Sequence, residues 1–171
     1  LFMVFCDISK AYDNVNRSKL WTALQKKGVS ISTISMMQNL YRHTTMQVRW
    51  THGTTRPVEI TKGLKQGCPL SPLLFNMYVA DIPEVLQEQG MGIGILGTKV
   101  TCLFYADDVV LISETQLDML HLLHHLCEEL HKLDLSMNVK KTKVLKFGPE
   151  KDIPLRWPIH DSQGQCSGEL Q

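Results

Sequence analysis

The sequence has almost no surplus of charge: 18 Lys and Arg against 17 Asp and Glu give a formal net charge of +1 over 171 residues. A near-neutral chain does not gather a polyanion through its overall field. Any work on nucleic acid must then rest on local sites, with flanking segments supplying much of the backbone affinity. Cysteine pairing signals are also missing. Cys6, Cys68, Cys102, Cys127 and Cys166 form no CxxC and are odd in number, which reads as reduced thiols in an intracellular protein. No long apolar run opens the chain. Leu1 to Cys6 is a short run, too short for a membrane span and without the layout of a signal peptide. There is no internal repeat and no low-complexity tract. With no initiating methionine, the chain reads as a fragment entered in the middle of a longer protein.

What is present is enough for one packed domain or part of one, since 43% of residues are hydrophobic. Leu1 to Cys6 reads as a central strand, apolar on both faces, with Asp7 at its end. Ser18 is placed to cap a helix that buries Leu20, Trp21 and Leu24 and stops at Gly28. A second helix, from about 32 to 43, carries Ile34, Met37, Leu40 and Tyr41 on one face. Met46, Val48 and Trp50 alternate with Gln47 and Arg49. This predicts a strand, and with 57–61 a hairpin. Trp21 and Trp50 both read as core.

Ser71-Pro72 reads as an N-cap followed by Pro at the first helical position. Phe75, Val79, Ile82 and Leu86 continue at helical spacing, with a kink or end near Pro83. Gly90, Gly92, Gly94 and Gly97 mark turns. Two strands, 100–105 and 109–113, flank a tight turn at Ala106-Asp107-Asp108. Met119, Leu122, Leu123, Leu126, Leu130 and Leu133 form a long helical stripe, and 144–147 is a last short strand. The tail from 149 to 171 is poorly defined. This order predicts an α+β fold with helices packed on one face of an antiparallel sheet.

Three acids sit at strand ends: Asp7, Asp107 and Asp108. Apolar strands anchor in the core, so their ends can converge at a sheet edge. Converging carboxylates repel unless a cation neutralises them, and hard oxygen donors suit Mg²⁺. Taken alone the pair Asp107-Asp108 is equally compatible with a solvated turn. His121 and His125, at i and i+4 beside His124, have a zinc-compatible spacing but no acid between them in the HExxH sense. They read as the polar face of a helix. Asp13 reads as making a structural hydrogen bond in its turn.

The residues around the acids carry more. Phe5-Cys6-Asp7-Ile8-Ser9-Lys10-Ala11-Tyr12-Asp13 resembles the first catalytic motif of reverse transcriptases. The stretch 63–75, with Gln66-Gly67 and Ser71-Pro72, resembles the second. Phe104-Tyr105-Ala106-Asp107-Asp108 resembles the third, and Asn138 to Lys143 the fourth. All four stand in the family's order, and the wording is most similar to non-LTR (LINE-like) retrotransposons.

The resemblance implies a polymerase palm over 1–148. The tail at 149–171 would lead towards a primer grip and thumb. It implies two Mg²⁺ ions, with Mn²⁺ as the alternative, on Asp7, Asp107, Asp108 and the Ile8 carbonyl. It places Lys10 and Ala11 at the triphosphate, and Tyr12 as a steric gate against a 2′-hydroxyl. Gln66 and Gly67 would lie against the incoming nucleotide and template base. Ser71 and Pro72 would start a helix beneath the template, and Lys141 would protonate pyrophosphate. The implied partners are an RNA template, a DNA primer and a deoxynucleoside triphosphate, with linked fingers, thumb and nuclease domains and no membrane. The implied location is a cytoplasmic ribonucleoprotein and the nucleus. Asp134 departs from the pattern, standing where the family often has glycine. Two other readings stand beside this one: a folded but inactive transposon relic, and an RNA-dependent RNA polymerase. Tyr12, Ala106 and the second motif argue against the latter.

Overall fold

The structure, a computed structural model, describes residues 1–148, 157–160 and 166–170. Its elements in chain order are β1 (Phe2–Asp7), α1 (Ala11–Asn14), α2 (Arg17–Lys26), α3 (Ile31–Tyr41), β2 (Thr45–Met46), β3 (Arg49–Trp50), β4 (Gly53–Thr54), β5 (Val58–Glu59), α4 (Ser71–Val79), α5 (Ile82–Glu88), β6 (Ile93–Ile95), β7 (Thr98–Val100), β8 (Cys102–Tyr105), β9 (Asp108–Ser113), α6 (Gln116–Lys132), β10 (Lys143–Lys146), β11 (Trp157–His160) and β12 (Cys166–Leu170). The chain divides into two compact units, 1–11 with 79–171, and 12–78.

The first unit is built on an antiparallel sheet of order β10-β1-β9-β8. On one face, Phe2, Val4 and Cys6 of β1 and Val109 and Leu111 of β9 are buried. Helix α6 packs on β9 and on α5, and α5 packs on β8. Met119, Leu122, Leu123, Leu126 and Leu130 of α6 are all buried, with Leu133 half-buried at its end. Burying each such side chain stabilises by about 1.5–3 kcal/mol. Capping by Thr115, which accepts from the Asp118 N–H, adds only about 1 kcal/mol. The stripe therefore holds this helix in place.

The other face differs from the expectation of a strand buried on both sides. Phe5 is 46% exposed, and Leu103 and Leu145 are also open. Strand β1 is central in the hydrogen-bonded ladder, and burial on this second face is partial, since Ile112, paired with Met3, is 6% exposed. The glycine-rich stretch expected as turns folds as the β6–β7 hairpin, pairing Ile93 with Val100. In the tail, β11 and β12 pair antiparallel. The rest of the tail expected at 149–171 lies outside the described residues. No helix among the described residues is long and apolar enough to cross a membrane.

In the second unit, α2 is capped by Asn16, whose side chain accepts from the N–H groups of Ser18 and Lys19. The cap expected at Ser18 therefore lies two residues earlier. Gly28 ends the helix with φ +81, a left-handed conformation that glycine adopts without strain. Leu20 and Leu24 are buried, while Trp21 is half-buried and edge-on to Tyr41 at 5.8 Å. On α3, Ile34 and Tyr41 are buried, but Leu40 is exposed.

The expected hairpin is present as two short ladders, Thr45–Met46 with Val58–Glu59 and Arg49–Trp50 with Gly53–Thr54. Trp50 is 51% exposed and Met46, Val48 and Val58 are open as well, so Trp50 is not a core residue. Ser71 does not cap α4. The first helical bond runs from Leu74 N–H to the Leu70 carbonyl, which puts Ser71 at the first helical position and Pro72 at the second. The Ser71 hydroxyl instead donates back to the Lys65 carbonyl at 2.6 Å.

Candidate active site

The antiparallel register sets Asp7 of β1 directly opposite Asp108 of β9. Directly paired residues project to the same face with Cβ atoms about 4.5–5.5 Å apart. Asp108 also pairs with Tyr105 of β8, so Ala106 and Asp107 form a two-residue hairpin loop. Ala106 takes φ +54 there, a left-handed conformation that strains a non-glycine residue. Asp7 and Asp107 are half-buried, and Asp108 is exposed. Tyr105, 84% exposed, stands beside them. Facing carboxylates destabilise a strand pair, and Lys141 answers the charge: its Nζ lies 3.7 Å from Asp7 Oδ1.

The segment 136–142 clamps Asp7. The Asn138 N–H donates to the Asp7 carbonyl at 2.7 Å. The Asp7 N–H donates to Thr142 Oγ1 at 3.3 Å, and that hydroxyl donates to the Asn138 carbonyl at 2.9 Å. Thr142 is 1% exposed. The clamp continues past Asp7, since Ile8 bridges Met137 and the Ser9 N–H donates to the Ser136 carbonyl. Sequence reasoning assigned Lys141 a role and passed over Asn138 and Thr142. A small hydroxyl residue among lysines was the signal that it belongs indoors. Lys141 itself is 69% exposed and meets Asp7.

Lys10 is exposed at φ +45, and Ala11 is buried at the start of α1. Burial raises the Cys6 thiol far above its ordinary pKa, with Cys127 adding to the effect, and pushes Cys102 and Cys127 up to about 11. These thiols are protonated at neutral pH and are not nucleophiles.

In the second unit, Tyr12 is half-buried with its ring stacked on Phe75, centroids 4.9 Å apart and planes at 22°. Around it, α1 meets the loop that carries Gln66. The Leu64 N–H donates to the Tyr12 carbonyl and the Gly63 N–H to the Val15 carbonyl. Gly63 is required here: at φ +81, an added Cβ would lie 2.7 Å from the Asp13 carbonyl oxygen. Gln66 Nε2 donates to Asp13 Oδ1 at 2.9 Å. The hydrogen bond expected of Asp13 within its own turn thus reaches 53 positions along the chain.

Arg17 braces the same loop by donating to the carbonyls of Ile60, Gly63, Tyr41 and Lys62. Gly67 has φ +78 and open space where a Cβ would sit, so backbone conformation, not a crowding neighbour within the chain, favours glycine there.

Residues 1–162 match the family described as reverse transcriptase (RNA-dependent DNA polymerase). The chain belongs to the reverse transcriptase family. The R2 retrotransposon Pol polyprotein of Popillia japonica is 32% identical over 82% of this chain and 20% of its own length. That of Nasonia vitripennis is 29% identical over 90% of this chain and 15% of its own. The reverse transcriptase chain therefore spans about a fifth or less of the length of these curated relatives.

Among solved structures, telomerase from Candida albicans in complex with a telomeric RNA fragment superposes with TM-score 0.63 at 14% identity. It covers 97% of this chain and 32% of that one. Apo telomerase from Candida tropicalis gives 0.60 at 16% identity, over 88% and 31%. The shared fold is the α+β polymerase palm.

Reverse transcriptases use divalent metal ions. The donors in the first unit fit such an ion: Asp7 and Asp108 present hard carboxylate oxygens from paired positions, with Asp107 next in the chain. No three His, Cys, Asp or Glu side chains form a ready metal-holding group among the described residues. His124 and His125 each lie 3.4 Å from Glu128 on the polar side of α6, as a surface helix face would.

Proposed function

We propose that this chain is the nucleotidyl-transfer core of an RNA-directed DNA polymerase of a non-LTR retrotransposon. The observation that carries the reading is the in-register pair Asp7 and Asp108, held at the strand ends by the Asn138–Thr142 clamp. Asp7, Asp107, Asp108 and the Ile8 carbonyl would hold two Mg²⁺ ions. Ions so bound supply Lewis acidity and charge neutralisation for attack of a primer 3′-hydroxyl on a deoxynucleoside triphosphate. Lys10 and the Ala11 N–H bind the triphosphate, and Gln66 and Gly67 lie against the nucleotide and template base. Tyr12 presents a flat ring to the sugar edge, where a 2′-hydroxyl would clash. Lys141, a flexible ammonium, is suited to pass a proton to departing pyrophosphate once it leaves Asp7. The template is element RNA, the primer is DNA nicked by a nuclease of the same polyprotein, and Ser71-Pro72 opens the helix under the template.

The test is primer extension on an RNA template with the polypeptide that carries this chain. Incorporation of dNTPs, abolished by Asp107→Asn with the fold intact by circular dichroism, is the expected result. Preference for NTPs would make it an RNA polymerase. Absence of turnover in the unmutated protein would leave the inactive-relic reading. Full turnover in Asp107→Asn would show the metal residues misassigned.

A further inference from the structure

We infer that Asp13 is a positioning residue that sets the Gln66 side chain for nucleotide binding; this rests on the reading of Gln66 as a nucleotide contact. The backbone around Gln66 is already fixed. The Leu64 N–H is held by the Tyr12 carbonyl, and Gly63 by Val15 and by close packing on Asp13. Arg17 Nε donates to the Gly63 carbonyl at 3.0 Å, and the buried Ser71 hydroxyl holds the Lys65 carbonyl at 2.6 Å. What the backbone leaves undetermined is the exposed Gln66 side chain, one of the rotamer-rich types. Asp13 Oδ1, 2.9 Å from Gln66 Nε2, removes that freedom.

The pairing also fixes which way the amide faces. An ionised carboxylate only accepts hydrogen bonds, so the NH₂ group must face Asp13 and the amide oxygen must face away from it. Gln66 is thereby presented as an oriented acceptor before any nucleotide arrives. A side chain ordered in advance lowers the ordering cost of binding. That benefit applies equally to bound substrate and transition state, so its loss appears in KM and not in kcat.

Charge predicts the opposite sign. Asp13 is an anion, and removing an anion near a triphosphate site would tighten dNTP binding and lower KM. A rise in KM on removing Asp13 therefore cannot come from its charge.

The experiment is steady-state single-nucleotide extension by the polypeptide that carries this chain, comparing Asp13→Ala, Gln66→Ala and the double variant. Asp13→Ala is expected to raise KM for dNTP about three- to tenfold, the range of the ordering cost of one rotamer-rich side chain, with kcat little changed. Gln66→Ala is expected to raise it at least as much, and the double variant to match Gln66→Ala alone, the mark of two residues acting as one. Should Asp13→Ala misfold, Asp13→Leu, close in shape and without an acceptor, is expected to give the same rise. The inference is overturned if Gln66→Ala raises KM but removal of Asp13 does not. An effect of Asp13→Ala that persists undiminished on top of Gln66→Ala overturns it too, because the role would then be structural. If Gln66→Ala changes nothing, the reading of Gln66 falls, and this inference falls with it.

Discussion

Replacing Thr142 with valine tests the clamp on Asp7. The two side chains have nearly the same shape, so the change removes a hydroxyl and leaves packing in place. Thr142 is 1% exposed and its bond to the Asp7 N–H is part-buried, so water replaces the lost bond only in part. The Asn138 carbonyl keeps two backbone donors, the N–H groups of Lys141 and Thr142. The Asp7 N–H loses its acceptor, Thr142 Oγ1. An unsatisfied buried donor costs about 1–3 kcal/mol, and a bond as long as 3.3 Å puts the value near the lower end, about 1–2 kcal/mol. For a chain of 171 residues this lowers the melting temperature by about 2–8 °C. Because the freed N–H belongs to a proposed metal ligand, primer extension should fall as well. Thr142→Ser keeps the hydroxyl and gives up a methyl. It should lose a similar amount of stability but retain extension. Differential scanning calorimetry and extension assays on both variants decide the matter. Thr142→Val matching the unmutated protein in melting temperature and turnover would refute the clamp.

Tyr12→Ala is expected to admit ribonucleotides, while Tyr12→Phe, which keeps the ring stacked on Phe75, should exclude them. Equal dNTP-to-NTP selectivity in all three proteins would remove the gate assignment. Asp134 holds φ +56 just past the end of α6. Asp134→Gly should stabilise by about 1 kcal/mol, or about 2–4 °C in melting temperature; an unchanged or lower melting temperature would refute the strain argument. The Cys102 and Cys127 thiols are raised from 9.0 to about 11 by burial. In the folded state they keep protons that the unfolded chain releases, so their contribution is full below pH 9.0 and is lost as pH rises through about 11. Urea midpoints at pH 8 and pH 11 should differ less in the Cys102→Ala/Cys127→Ala variant than in the unmutated chain. An equal fall in both would refute this.

The sequence by itself determined the elements whose signal is local. An apolar run ending in Asp7, a two-residue loop at Ala106-Asp107, and a leucine stripe along α6 each follow from spacing along a few turns or residues. The four motifs, standing in the family's order along the chain, identified the family. Local signals mislead where burial depends on what covers a face. Phe5 and Trp50 alternate as strand residues should, but period-two spacing says which side a residue occupies and not whether another layer lies over it. Both are half-exposed. Caps slipped for a related reason: Asn16, Ser18 and Ser71 are all competent hydrogen-bonding residues, and only backbone direction selects which of them serves.

What only the tertiary structure decided is the set of contacts between residues distant in the chain. Asp7 meets Thr142 across 135 positions, and Asp13 meets Gln66 across 53. No periodicity connects such pairs. The register of β1 on β9 and the packing of the Gly63 loop on α1 bring them together, and a one-residue slip in either would part them.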